Sequence, residues 1–212
     1  FDSGGDWGAG MSLLVMKFGG TSVADLARIA NAAEKVKREV ERGYDVIVNL
    51  QGDIDHPTQS LADLLWLRER FPDGLAGRTI TMSWAYSPSY AKPLSVAQGI
   101  VTLLTRFGAH VRLAHPEGYR LMDPSLEAAQ ANAEASGGSF TVVHDMDQAF
   151  AGADVVYPKS WGPYDLMLER VDANRSKDTE ALRDIERRAL ERNASYRDWI
   201  CDERRMGLTR DA

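Results

Sequence analysis

The stretch Gly52 to Leu65, GDIDHPTQSLADLL, gathers an imidazole, a hydroxyl and an amide within four residues, directly ahead of an apolar run with helical spacing. Pro57 fixes its own φ and keeps His56 out of the helical region, so His56 is expected to end a loop with its ring pointing outward. Thr58 and Gln59 then fall at a helix start, where unpaired backbone N–H groups and the positive end of the dipole favour an anion. Converging there, the three side chains have the donors to hold and polarise a phosphorylated carbonyl compound. The same residues also read as an ordinary N-terminal cap with an exposed histidine, and spacing alone leaves both readings open.

Two further groups carry chemistry. Lys17-Phe18-Gly19-Gly20-Thr21-Ser22-Val23 joins a lysine and a glycine turn to the start of a helix. Glycines after a buried strand let a phosphate approach backbone N–H groups, and a nearby lysine balances its charge. Near the other end, Lys159-Ser160-Trp161 closes an apolar run; a lysine at a strand end can pair with a carboxylate while an indole packs aliphatic substrate. A surface lysine beside a core tryptophan is the plainer alternative. Tyr86 and Ser87, in a loop rich in proline and serine, can donate hydrogen bonds to the same ligand or simply pack that loop. His110, His115 and His144 lack metal-ligand spacing, so no metal is assigned.

These residues need a scaffold, and the hydrophobic pattern supplies one. Ser12 to Phe18 reads as a buried strand, Ala24 to Arg42 as a helix with Leu26, Ile29, Ala33, Val36 and Val40 on its inner stripe, and Tyr44 to Leu50 as a second strand. After Asn49 the spacing predicts a helix over Ser60–Phe71 with Leu61, Leu64, Leu65 and Leu67 inward. Then come a strand at Arg78–Trp84, a helix at Leu94–Phe107 and a strand at His110–Ala114. The rhythm repeats with a helix from Asp123 to about Ser136, a strand at Ser139–Val143, a short helix at Met146–Phe150 and a strand at Ala153–Tyr157. A charged helix follows at Thr179–Asn193, with a short extended piece at Tyr196–Cys201. Alternation of this kind argues for an α/β fold with a doubly wound parallel sheet, whose ligands sit at the carboxyl ends of the strands. Those ends carry Trp84 to Ser87, His115 to Glu117 and Pro158 to Trp161.

Composition narrows the classes. At 44% hydrophobic and 26% charged, the chain is an ordinary globular sequence of 212 residues, long enough for one or two domains. A net charge of -6 offers no general attraction to nucleic acid or an anionic membrane. No apolar run approaches a membrane span and no signal-peptide pattern opens the chain, so the expected compartment is the cytoplasm. Cys201, the single cysteine, excludes an intrachain disulfide and a multi-cysteine metal site. Residues 1–10 are glycine-rich and aperiodic and are expected to form a disordered leader.

HPTQ followed by S-L-A-D-L resembles the carbamoyl-phosphate motif of the aspartate/ornithine carbamoyltransferase family. In that family the His and Gln hydrogen-bond the carbamoyl group. The resemblance thus implies catalytic roles for His56 and Gln59, and a carbamoyl-phosphate site of His56, Thr58 and Gln59. It extends through HPTQSLADLLWL, TMSWAYSPSYAKPLSV, LAHPEGY, ASGGSF and DVVYPKSWGPY, covering about residues 49–212. This block resembles the second, amino-acid-binding domain, and WAYSPSYAKPL and VVYPKSW resemble the knotted acetylornithine/YgeW-type branch rather than ordinary ornithine enzymes. That likeness implies a Rossmann-like domain in which a later segment threads the Ser87–Pro93 loop, and a second-substrate site including Tyr86, Ser87, Lys159, Ser160 and Trp161.

Residues 11–48, through KFGGTSV, resemble the opening of aspartokinases in the amino acid kinase family, where Lys17, Gly19 and Gly20 would contact ATP phosphates. The kinase's catalytic aspartate region has no counterpart here, which implies a βαβ fragment of kinase ancestry rather than a working kinase.

The expected organisation is thus leader 1–10, aspartokinase-like fragment 11–48 and carbamoyltransferase domain 49–212 with its last strand missing. The implied reaction moves a carbamoyl group from carbamoyl phosphate to the amino group of an amino-acid-like acceptor, with no cofactor, and the family implies a homotrimer. Its Ser-Thr-Arg-Thr phosphate loop and His-Cys-Leu-Pro strand end do not occur in this sequence. Little or no activity is therefore expected of the chain alone. A kinase-like phosphate or ATP binder and a non-catalytic assembly module stand as alternatives.

Overall fold

The structure is a computed structural model that describes residues 13–18, 26–50, 54–90 and 92–210. They fall into two compact units that divide between Gly52 and Asp53. In the first, β1 (Leu13–Phe18) and β2 (Asp45–Leu50) pair in parallel, Leu13 opposite Asp45, and α1 (Leu26–Glu41) connects them. Gly43, at φ 88°, makes the left-handed turn out of the helix. The stripe expected to face inward is only partly covered: Ala32 is buried, whereas Ile29, Ala33 and Val40 are exposed. A two-stranded ribbon is too narrow to bury a 16-residue helix. The leader and the Gly19-Gly20 turn lie outside the described residues.

The second unit opens with α2 (Pro57–Arg70) and continues β3 (Thr79–Trp84), α3 (Ser95–Leu104), β4 (His110–Ala114) and α4 (Asp123–Ser136). β5 (Ser139–Val143), α5 (Met146–Phe150) and β6 (Val155–Lys159) complete the sheet, and α6 (Tyr164–Ser176), α7 (Thr179–Ala194) and α8 (Glu203–Met206) follow. The four strands lie in the order β5-β4-β3-β6, all parallel. Every residue of β3 is buried, as a central strand covered on both faces requires. Its side chains alternate between two helical layers. Ile80 shares a small cavity with Ile100 and Leu104 of α3, while the Thr81 hydroxyl donates to the Ala149 carbonyl of α5 at 2.7 Å. This is the expected doubly wound α/β architecture: β4 and β5 are added on one side of β3 and β6 on the other, which puts the switch point between β3 and β6. No helix among the described residues is long and apolar enough to cross a membrane.

Several elements differ from expectation, each for a local reason. α2 begins at Pro57, because proline suits the first helical turn. Of its four leucines Leu64 and Leu67 are buried, but Leu61 and Leu65 are exposed, together with Trp66. β6 starts at Val155 because Asp154 serves the preceding turn, its carboxylate accepting from the Thr79 backbone N–H at 2.7 Å. α6 was not foreseen: it starts after Gly162-Pro163 and buries only Leu166 and Ala173, against Ile185 and Ala189 of α7. Residues 196–198 belong to a turn and 199–201 form no strand, in place of the expected extended piece; Trp199 is buried and its carbonyl accepts from Tyr86 N–H.

Candidate functional site

His56 caps α2. Its Nδ1 accepts the Gln59 backbone N–H at 3.4 Å and lies 3.5 Å from the Thr58 hydroxyl. The ring does not point outward as expected: His56 is only 6% exposed. Packing against α3 explains the difference. Gln98 donates from Nε2 to the Ile54 carbonyl at 2.7 Å, and Gly99 lets α2 approach so closely that a Cβ there would lie 2.5 Å from Ser60 Oγ. A nitrogen that accepts from a backbone N–H carries no proton. The neutral ring therefore holds its proton on Nε2, which is a donor. The Gln59 side chain donates to Asp63 at 2.9 Å. Gln98 and Gly99 lie in the first half of α3, the helix that follows β3, and Gln98 also accepts from the Met122 N–H at the start of α4, at 3.0 Å.

The other expected residues meet at the switch point. Trp84 of β3 stands opposite Lys159 of β6, and Ala85 N–H bonds to the Lys159 carbonyl at 3.1 Å, so Tyr86 and Ser87 emerge beside Lys159, Ser160 and Trp161. The Lys159 ammonium donates to the Ser160 carbonyl at 3.1 Å. Burial, and then the positive charge of Lys92, hold its pKa below the ordinary lysine value. Lys92, which the sequence reading passed over, is set by its own carbonyl accepting from Gly162 N–H at 2.9 Å. Among the described residues no carboxylate forms an ion pair with Lys92 or Lys159. Ser160 is buried, and its Oγ has no hydrogen-bond partner there. Trp161 sits in the core: its indole N–H donates to the Tyr119 carbonyl at 2.8 Å, and its own carbonyl accepts from the Trp84 indole at 2.8 Å.

Other features are separate from this arrangement. A groove of about 360 Å³ between α2, α3 and α4 is lined by Asp55, Pro57, Ser60, Thr102, Arg106 and Asn132, not by His56, Gln59 or Lys159. His115 and His144 stand at the ends of β4 and β5, with ring centroids 4.9 Å apart. Each Nδ1 is 2.8 Å from a backbone carbonyl, of Pro116 and His115 respectively, so each Nδ1 carries the proton. Burial lowers the His115 pKa. No cluster of three or more His, Cys, Asp or Glu among the described residues is placed to hold a metal. Gly19, Gly20 and the Lys17 side chain lie outside the described residues.

Comparison with known proteins bears on this geometry. Residues 92–211 match the family model for the Asp/Orn binding domain of aspartate/ornithine carbamoyltransferase. The chain is 58% identical over 167 residues to a putative carbamoyltransferase, YgeW, of Escherichia coli strain K12; the match covers 78% of this chain and 42% of that protein. It is 38% identical to N-acetylornithine carbamoyltransferase of Xanthomonas campestris pv. campestris over 168 residues, 77% of this chain and 43% of the relative. A solved structure of acetylornithine transcarbamylase complexed with acetylcitrulline superposes with a TM-score of 0.67 at 30% identity, covering 95% of this chain and 55% of that one. The match to that family model runs over more than half of the chain and falls on the parallel α/β unit described above. The chain belongs to the aspartate/ornithine carbamoyltransferase family. It spans about two fifths of the length of these curated relatives.

Proposed function

We propose that the second unit is the acceptor side of a carbamoyl transfer site. In this reading Lys92 and Lys159 hold the carboxylate of an amino-acid-like acceptor, and His56, Thr58 and Gln59 receive the carbamoyl group. One observation carries it: Lys92, in the loop after β3, and Lys159, at the end of β6, are both half-buried at the topological switch point, the charge of Lys92 bears on Lys159, and neither forms an ion pair with a carboxylate among the described residues. Holding like charges together is unfavourable, and an anionic ligand relieves it. The reaction joins the acceptor nitrogen to the carbamoyl carbon and breaks the bond from that carbon to the phosphate oxygen. The nitrogen loses a proton and phosphate leaves. Negative charge grows on the carbonyl oxygen, which a donor at His56 Nε2 stabilises.

The test is a calorimetric titration of the chain with N-acetyl-L-norvaline, a carboxylate that cannot itself be carbamoylated. Lys159→Met or Lys92→Met is expected to weaken binding at least about tenfold, a loss of about 1.4 kcal/mol. Unchanged affinity in both would sink the proposal. The pH dependence has a definite sign. Affinity holds while Lys159 is cationic and falls as pH rises through a pKa below the ordinary lysine value. Stability moves the other way: the folded state binds the proton less tightly than the unfolded one, so stability rises with pH through that window, and Lys159→Met raises Tm at neutral pH.

Turnover is a separate part of the proposal. The family's phosphate loop and His-Cys-Leu-Pro sequence do not occur in this chain, so a ureido-product assay with carbamoyl phosphate is expected to show little or none. Robust turnover by the isolated chain would overturn that. A threaded course through residues 87–93 belongs to the same reading, supported by the bonds of Gly162 and Asn193 to that loop, as do assembly into a homotrimer and a cytoplasmic setting. For residues 11–48 the kinase ancestry rests on Lys17 to Val23 alone.

A further inference from the structure

Four hydrogen-bonding steps at the carboxyl end of the sheet close into a ring. The Trp84 indole at the end of β3 donates to the Trp161 carbonyl after β6, at 2.8 Å. The Trp161 indole donates to the Tyr119 carbonyl in the loop after β4, also at 2.8 Å. The Tyr119 hydroxyl donates to Asn193 Oδ1, near the end of α7. Asn193 Nδ2 returns to the loop after β3, donating to the Ser87 and Ser89 carbonyls at 3.1 Å each. Asn193 is 2% exposed and has both ends of its amide engaged. All four donors are buried side chains, two indoles, a phenol and an amide, and each finds its acceptor within the ring. A buried polar group left without a partner is strongly destabilising, so the ring commits these loops to one arrangement.

We infer that Asn193 and Tyr119 are positioning residues that set Ser87–Ser89 in the loop after β3, and with them the placement of the Lys92 ammonium relative to Lys159. This rests on the reading of Lys92 and Lys159 as the carboxylate site. Loop backbone otherwise drifts relative to a strand end, and a cation displaced by about 1 Å loses most of its advantage in a two-point grip. Asn193 is the one residue of the ring able to donate to two loop carbonyls while accepting from the tyrosine.

Three variants of the full chain, each titrated with N-acetyl-L-norvaline, separate the possibilities. Asn193→Asp keeps the acceptor for Tyr119 but removes the donors to Ser87 and Ser89; binding is expected to weaken about tenfold, with faster amide exchange confined to residues 86–90. Tyr119→Phe keeps the ring's packing against Trp84 and is expected to weaken binding about threefold with the same local exchange signature. It also keeps the inference testable if Asn193→Asp does not fold. Lys159→Met is the control for the site itself. A wild-type chain that does not bind the probe, or binds it equally after Lys159→Met, overturns the site and this inference with it. Binding lost with Lys159→Met but retained in both Asn193→Asp and Tyr119→Phe overturns the inference alone.

Discussion

The two units are built from the same strand–helix–strand pattern, yet only one of them closes around it. In the second unit, β3 lies between two partners, has helices on both faces and leaves none of its six residues exposed. In the first, β1 and β2 have only each other among the described strands, and Leu13, Val15 and Ile47 are 63%, 54% and 52% exposed. Both sets of strands are rich in Val, Ile, Leu and Met. Apolar composition therefore specifies that a strand wants to be covered, while the number of neighbouring layers decides whether it is.

This contrast predicts a gradient of mutational cost. Ile80→Ala, at a site with no exposed surface, is expected to destabilise by about 3–4 kcal/mol, whereas Val15→Ala should change stability by less than about 0.5 kcal/mol. Urea midpoints at equal slope measure both, and a comparable loss at Val15 would break the distinction. A smaller effect sharpens it within the second unit. Gly99→Ala, normally favourable inside a helix, here drives a methyl into Ser60 Oγ and is expected to cost about 1–3 kcal/mol. Ser60→Ala alone should be neutral or slightly stabilising, since that buried hydroxyl has no partner among the described residues, and it should rescue most of the Gly99→Ala loss. Additive losses in the double variant would show that the approach of α2 to α3 is not the cause.

Much of the architecture was legible because it is written in local periodicity. β4, β5 and α5 run between the residues that the pattern assigns, each bounded by a glycine or a capping residue: Gly108 at φ 72°, Gly137 at φ 76° and Asp145, whose carboxylate accepts from Gln148 N–H. α6 escaped because it starts after a Gly-Pro step with no side-chain cap and buries little. The exposure of His56 was misjudged for a different reason. Pro57 does set the local backbone, but whether the ring meets solvent is decided by Gly99 and Gln98, some forty residues further along. The same limit hid Lys92 and Asn193. A lysine before a proline and an asparagine in a charged helix carry no local mark, and they acquire their surroundings only when Gly162 and the 87–89 loop arrive beside them.

The strand order has a consequence in time as well as in space. β4 joins β3 after little more than one helix, whereas the contact between Thr79 and Asp154 that brings in β6 spans 75 residues. Pairings of low sequence separation are expected to form first, so the prediction is that β3 passes through a stage with one edge satisfied and the other open, a state in which a hydrophobic strand is prone to pair with a neighbouring chain. Refolding watched through Trp84 and Trp161, which join across that late pairing, should settle after the helical far-ultraviolet signal; simultaneous phases would refute this order. The strand end that forms the candidate site is then the last part of the sheet to be assembled, and its concentration dependence during refolding becomes a practical concern for anyone preparing the protein.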